Sequence, residues 1–135
     1  MRSHVTAIRA ALTTASLVNY FADAGTDPTL PYVLLWTGSG APPIEDSIAS
    51  RGDFEATLGV TSVAGTPEGV LIVQAAARTA LASFASGSTA VTGRIVWLTL
   101  EDSRAVQVDR DVPVTATGRY PAYGVDMYRL RSTPA

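Results

Sequence analysis

The chain has 135 residues, of which 47% are hydrophobic and only 16% charged, and its formal net charge is −2. That length is one ordinary domain, and twelve acids against ten bases exclude both a basic nucleic-acid-binding module and an acidic disordered tail. The charged fraction lies below the roughly 25% of an average soluble domain, so either loops rich in Thr, Ser and Gly keep the surface wet or a partner covers part of it.

Val5, Ile8, Leu12, Ala15 and Val18 recur at helical spacing behind Ser3 as N-cap, which predicts a first helix over about residues 4–20. Arg2, the stretch from Ala10 to Val18 and Ala22-Asp23-Ala24 imitate a secretory signal. Arg9 and the hydroxyls of Thr13, Thr14 and Ser16 interrupt it, so the segment is expected to belong to the domain. Turn chemistry from Asp23 to Pro28 follows. Tyr32-Val-Leu-Leu-Trp36, bounded by Pro31 and Gly38, reads as a strand. Residues 37–52 form a connection too long to be a simple link.

Phe54, Ala56, Leu58 and Val60 alternate with Glu55, Thr57 and Thr61, the pattern of a half-buried strand. Thr66-Pro67-Glu68 opens a second helix with an N-cap, a proline at the first helical position and an acid in the first turn. Its buried stripe is Val70, Val73, Ala77, Leu81 and Phe84, and Gly87 ends it. Strands are expected over about 94–100, 104–112 and 122–131, the first two joined by a hairpin at Glu101-Asp-Ser103 and the last two by a loop over 113–121. No run approaches the ~20 apolar residues of a membrane span. The order helix-strand-strand-helix-strand-strand-strand predicts a single α+β domain over 1–135, with two helices packed on one face of a mostly antiparallel sheet of about five strands.

Parts for catalysis are scarce. No cysteine is present, so disulfides, thiolate metal sites and cysteine nucleophiles are excluded, and without Lys no Walker phosphate loop can be made. His4, the lone histidine, is expected as a solvated side chain at a helix start rather than the base of a Ser-His-Asp relay, and one His cannot supply the usual zinc cluster. Gly38-Ser-Gly40-Ala-Pro-Pro43 begins like a dinucleotide fingerprint, but Pro43 stands where its third glycine would be. Asp109 and Asp111 would share one strand face about 7 Å apart, and Asp126 on the next strand could join them around a divalent ion. The competing reading is a solvated strand end whose acids pair with Arg104, Arg110 or Arg129. No cofactor and no metal is predicted, and the chain is read as no enzyme.

Trp97, in mid-strand, is expected in the core. Trp36 beside the long loop, and Tyr120 and Tyr123 around Pro121, are residue types enriched where proteins touch, although packing within one chain explains each equally well.

The order of pieces resembles the tail terminator proteins of long-tailed bacteriophages, also called tail completion or minor tail proteins. The resemblance spans nearly the whole chain. It rests on the leading helix, Pro31-Tyr-Val-Leu-Leu, the long loop, the alternating strand and Thr66-Pro67-Glu68. Most of all it rests on Val108-Asp-Arg-Asp-Val112 followed by Tyr123-Gly-Val-Asp-Met-Tyr-Arg-Leu130, a closing pattern similar to that of actinobacterial phage members. The Arg-only composition agrees with a GC-rich host.

The resemblance implies a virion protein, assembled in the host cytoplasm. It would form a homo-hexameric ring at the head-tail junction, stop growth of the tail tube and offer a head-joining surface. Its partners would be itself, the tail tube protein and the connector or neck proteins. DNA would only pass through the lumen, and no membrane is involved. Under this reading Trp36, Tyr120 and Tyr123 become interface residues. Ile44, Glu45, Asp46, Ile48 and Arg51 meet tube or neighbour, and Asp109, Arg110, Asp111 and Arg129 supply inter-subunit or lumen-facing charges. A neck or head-tail connector ring protein is the nearest alternative, and a small α+β enzyme or ligand-binding domain is a more distant one.

Overall fold

The computed structural model describes residues 2–25, 28–38, 52–109 and 120–135. Its elements are α1 (Arg2–Thr14), β1 (Asn19–Phe21), β2 (Tyr32–Thr37), β3 (Phe54–Ala64), α2 (Pro67–Leu81) with a 3-10 turn at Ala82–Phe84, β4 (Arg94–Ser103), β5 (Gln107–Val108) and β6 (Ala122–Pro134). Among the described residues, the strands form one sheet in the order β1-β2-β3-β6-β4, with β5 also on β6. All pairings are antiparallel except β1 with β2. The fold is α+β, with the predicted element order extended by one short strand.

Period-2 alternation puts Val33 and Leu35 of β2, Leu58 and Val60 of β3, Val96 and Leu98 of β4, and Tyr128 and Leu130 of β6 on one face. Ile8 and Leu12 of α1 and Val73, Ala77 and Leu81 of α2 close over them, and these side chains form one buried cluster. Each Val, Leu or Ile of the cluster is worth about 1.5–3 kcal/mol in area removed from water, and the cluster fixes which face of each helix turns inward. The N-terminus of α2 follows its sequence signal: the Gly69 N–H donates to Thr66 Oγ1 at 3.0 Å. The predicted stripe from Val70 to Phe84 is buried throughout.

Five expectations are corrected. Helix α1 ends at Thr14, not near residue 20. Leu17 N–H donates to Leu12 O and Ser16 N–H to Thr13 O, a Schellman closure in which Ser16 takes the left-handed position (φ 63°) usually held by glycine. The residues freed by that stop form β1, parallel to β2.

No hairpin turns at Glu101-Asp-Ser103. Strand β4 runs through to Ser103 with a bulge between Leu100 and Asp102, and Arg104 N–H still reaches Val125 O. Glu-Asp-Ser lacks the positive-φ residues of a two-residue hairpin, whereas β6 is long enough to partner β4 and β5 end to end. The strand expected over 104–112 is reduced, among the described residues, to Gln107–Val108. Trp97 is not in the core. It lies on the other side of the sheet, where its indole nitrogen would sit 3.0 Å from any Cβ added at Gly87, a residue at φ 95°.

His4 is not solvated. It is 2% exposed, and its Nε2 lies 2.8 Å from Ser132 Oγ.

Candidate functional site

The helices cover one face of the sheet; among the described residues the other carries none. On that open face an antiparallel sheet usually turns polar side chains to water. Here the cross-strand register builds apolar rows instead. Tyr32, Val63 and Tyr123 form one, Leu34, Thr61 and Val125 the next, and Trp36, Gly59 and Met127 a third. Toward the far end the rows become polar, with Thr57, Arg129 and Thr99, then Glu55, Arg131 and Trp97.

Trp36 is the most exposed aromatic of these rows at 39%. Its ring lies over Gly59, and its Nε1–H donates to Thr61 Oγ1 at 3.1 Å. The Tyr123 hydroxyl donates to Gln107 Oε1 at 2.9 Å, and Tyr20 meets Tyr32 edge-on at 5.4 Å between centroids. Burial, then the neighbouring Tyr20 and the Asp109 charge, push the Tyr32 hydroxyl above its ordinary pKa. Arg129 pairs with Glu101 at 2.8 Å on the same face, an exposed bridge of small worth.

Of the residues singled out from sequence, Trp36, Tyr123 and Arg129 therefore share the open face. Tyr120 is exposed beside Pro121, just before β6. Asp109 follows β5, its N–H donating to Pro121 O. Ile44, Glu45, Asp46, Ile48, Arg51, Arg110 and Asp111 lie outside the described residues.

Asp126 does not join a carboxylate pair with Asp109, because it points to the helix side of the sheet. There it is 2% exposed and takes two hydrogen bonds from Arg78, Nε to Oδ2 at 2.7 Å and an amino nitrogen to Oδ1 at 2.9 Å. It takes a third from Gln74 at 2.9 Å. Arg78 also donates to Ser103 Oγ at 2.8 Å, tying α2 to the end of β4. Asp126 therefore pairs with Arg78, while Arg104 lies nearest Asp102 and Arg129 pairs with Glu101. Among the described residues, no group of three His, Asp or Glu stands ready for a metal. Burial and the Asp126 charge push the neighbouring Tyr128 hydroxyl up to about 12.

The His4–Ser132 contact is the other polar cluster under the helices. Arg94 Nε–H donates to Ser132 Oγ at 2.5 Å, so the serine hydroxyl is free to donate its own proton to His4 Nε2. That assignment leaves the imidazole neutral with its proton on Nδ1, an atom with no partner among the described residues. The ring stands edge-on to Phe54 at 4.6 Å, and Arg94 lies over the same phenyl at 5.1 Å. Burial first, then the charges of the N-terminus and Arg94, lower the His4 pKa to about 4. Ser132 is fully buried and its other neighbour is a cation, so this pair has neither the acid nor the access of a nucleophilic relay.

Sequence reading missed Leu34, Val125 and Met127 on the open face, and Leu71 and Ile72 on α2. The signal was present in both places: Tyr-Val-Leu-Leu-Trp and Val-Leu-Ile-Val are apolar on every side, more than one buried face requires. No family model matches the chain, and a search of curated proteins finds no match.

Proposed function

We propose that this chain is a structural subunit of a phage tail, a terminator that forms a closed ring on the end of the tail tube and gives the head its docking surface. The observation that carries the reading is the open face of the sheet, where the exposed Trp36 stands in contiguous apolar rows with the half-buried Tyr32, Leu34, Tyr123, Val125 and Met127. Such a face on a chain with few charges is surface for neighbours. The overall pattern shared with tail terminators says which neighbours: copies of itself, the tube protein and the neck. A ring that copies the tube's contact on one face and differs on the other ends polymerisation by geometry alone. A net charge of −2 suits a lumen through which DNA slides unheld.

The test is co-expression with a phage tail tube protein from the same genome, followed by electron microscopy. Tubes of uniform length bearing a terminal ring are the expected result, and Met127→Glu should abolish capping while the monomer stays folded. Rings bound to the portal complex and never to tube ends would replace the terminator by a neck protein. A chain that caps nothing and binds a small molecule would overturn the assembly reading.

A further inference from the structure

The helix layer carries two unpartnered features away from the open sheet face. The first is a groove of about 730 Å³ between α1 and the β1–β2 edge, walled by Val5, Ala10, Thr13 and Phe21. Among the described residues its charged members are Arg2 and Arg9, with no acid beside them. Arg9 is held in place by Asn19, to whose Oδ1 and backbone O it donates at 2.8 and 3.2 Å. Phe21, at 40% exposure, is an apolar wall without a cover.

The second feature is the outer ridge of α2. Glu68, Leu71, Ile72, Ala75 and Thr79 fall on one side of that helix, opposite the buried stripe. Leu71 is 55% exposed and Ile72 70%, the highest values among the large hydrophobic residues described. The charge on this ridge is Glu68. The next charge along α2, Arg78, is committed to Asp126.

We infer that the α2 ridge of one copy seats in the α1 groove of a second copy. A helix entering a groove uses anchors at i, i+3, i+4 and i+7, and Glu68, Leu71, Ile72 and Ala75 have that spacing. Groove and ridge match in length, since Arg2 to Thr13 and Glu68 to Thr79 each span about 16 Å of helix. Among the described residues they match in charge, two arginines without an acid against Glu68. They match in character, since Leu71 and Ile72 would cover the exposed Phe21. The contact joins unlike surfaces, so every copy can both give and receive. This rests on the ring reading only in that both require self-association, and it names the two surfaces that meet.

The test uses the full chain in sedimentation velocity and mass photometry, with thermal melting as the control for folding. Wild type is expected to self-associate. Ile72→Arg on the exposed ridge should weaken association at least about tenfold with an unchanged melting curve. Glu68→Arg alone and Arg2→Glu alone should each be monomeric, because like charges meet. An equimolar mixture of the two should assemble again, because every contact between unlike copies is then complementary. A wild type that stays monomeric, or variants that assemble as wild type does, would overturn the inference. A ring indifferent to all these variants keeps the ring reading and discards this interface. A wild-type dimer lost in every variant keeps the interface and discards the ring.

Discussion

Trp36 and Gly59 are cross-strand partners, and the indole occupies the space a side chain would take: a Cβ built on Gly59 would fall 1.9 Å from Trp36 Cε2. The glycine is required here for close approach and not for its backbone angle. Gly59→Ala must push the ring off β3 and break its bond to Thr61, at an expected loss of about 1–3 kcal/mol. A change in tryptophan emission and a lower urea midpoint would register it. Trp36→Leu in the same chain should recover most of the loss, and equal, additive losses would show that the two residues do not compete for one space.

Asp126 is a buried carboxylate whose charge is met by Arg78 and Gln74. Arg78→Ala leaves it unpaired and should destabilise the fold by about 3 kcal/mol in urea unfolding. Replacing both partners by apolar residues, Arg78→Met with Asp126→Leu, should lose much less, because no charge then remains to be desolvated. If the double variant is as unstable as Arg78→Ala, the penalty is packing and not charge.

His4 is neutral in the folded chain down to about pH 4, while in the unfolded chain it takes up a proton near 6.5. The folded pKa is depressed, so its contribution is complete above pH 6.5 and is lost as pH falls from 6.5 toward 4. Melting temperature should drop across that window. His4→Phe, which retains a ring against Phe54, should flatten the drop between pH 6.5 and 4.5. A profile identical to wild type would mean that other groups carry the acid sensitivity.

Thr66 holds the first turn of α2 through one hydrogen bond to the Gly69 N–H. Thr66→Ala should lower stability by about 1 kcal/mol and Thr66→Asp should retain it. Circular dichroism during thermal unfolding measures both. Equal stability of all three would mean that Pro67 and the buried stripe alone fix where the helix begins.

Taken by itself, the sequence determined the α+β class, the start of α2, the inward stripe of that helix and the alternation of β3. Each of these is set by residues within a turn or two of one another: Thr66 before Pro67, Val70 through Phe84 at helical spacing, Phe54 to Val60 at period two. Only the tertiary structure decided where α1 stops, since Ser16 in a left-handed conformation leaves no glycine to read. It alone decided that Asn19–Phe21 adds a parallel strand and that 101–103 continues along β6 instead of turning. It also assigned faces that local pattern leaves open. Trp97 went to the open side and Asp126 to the helix side, because their places depend on Gly87 and Arg78, ten and 48 residues away. The same holds for the low charge fraction. Composition left open whether polar loops or a partner offset the scarcity of charge, and the cross-strand register adds that the open rows of the sheet are apolar.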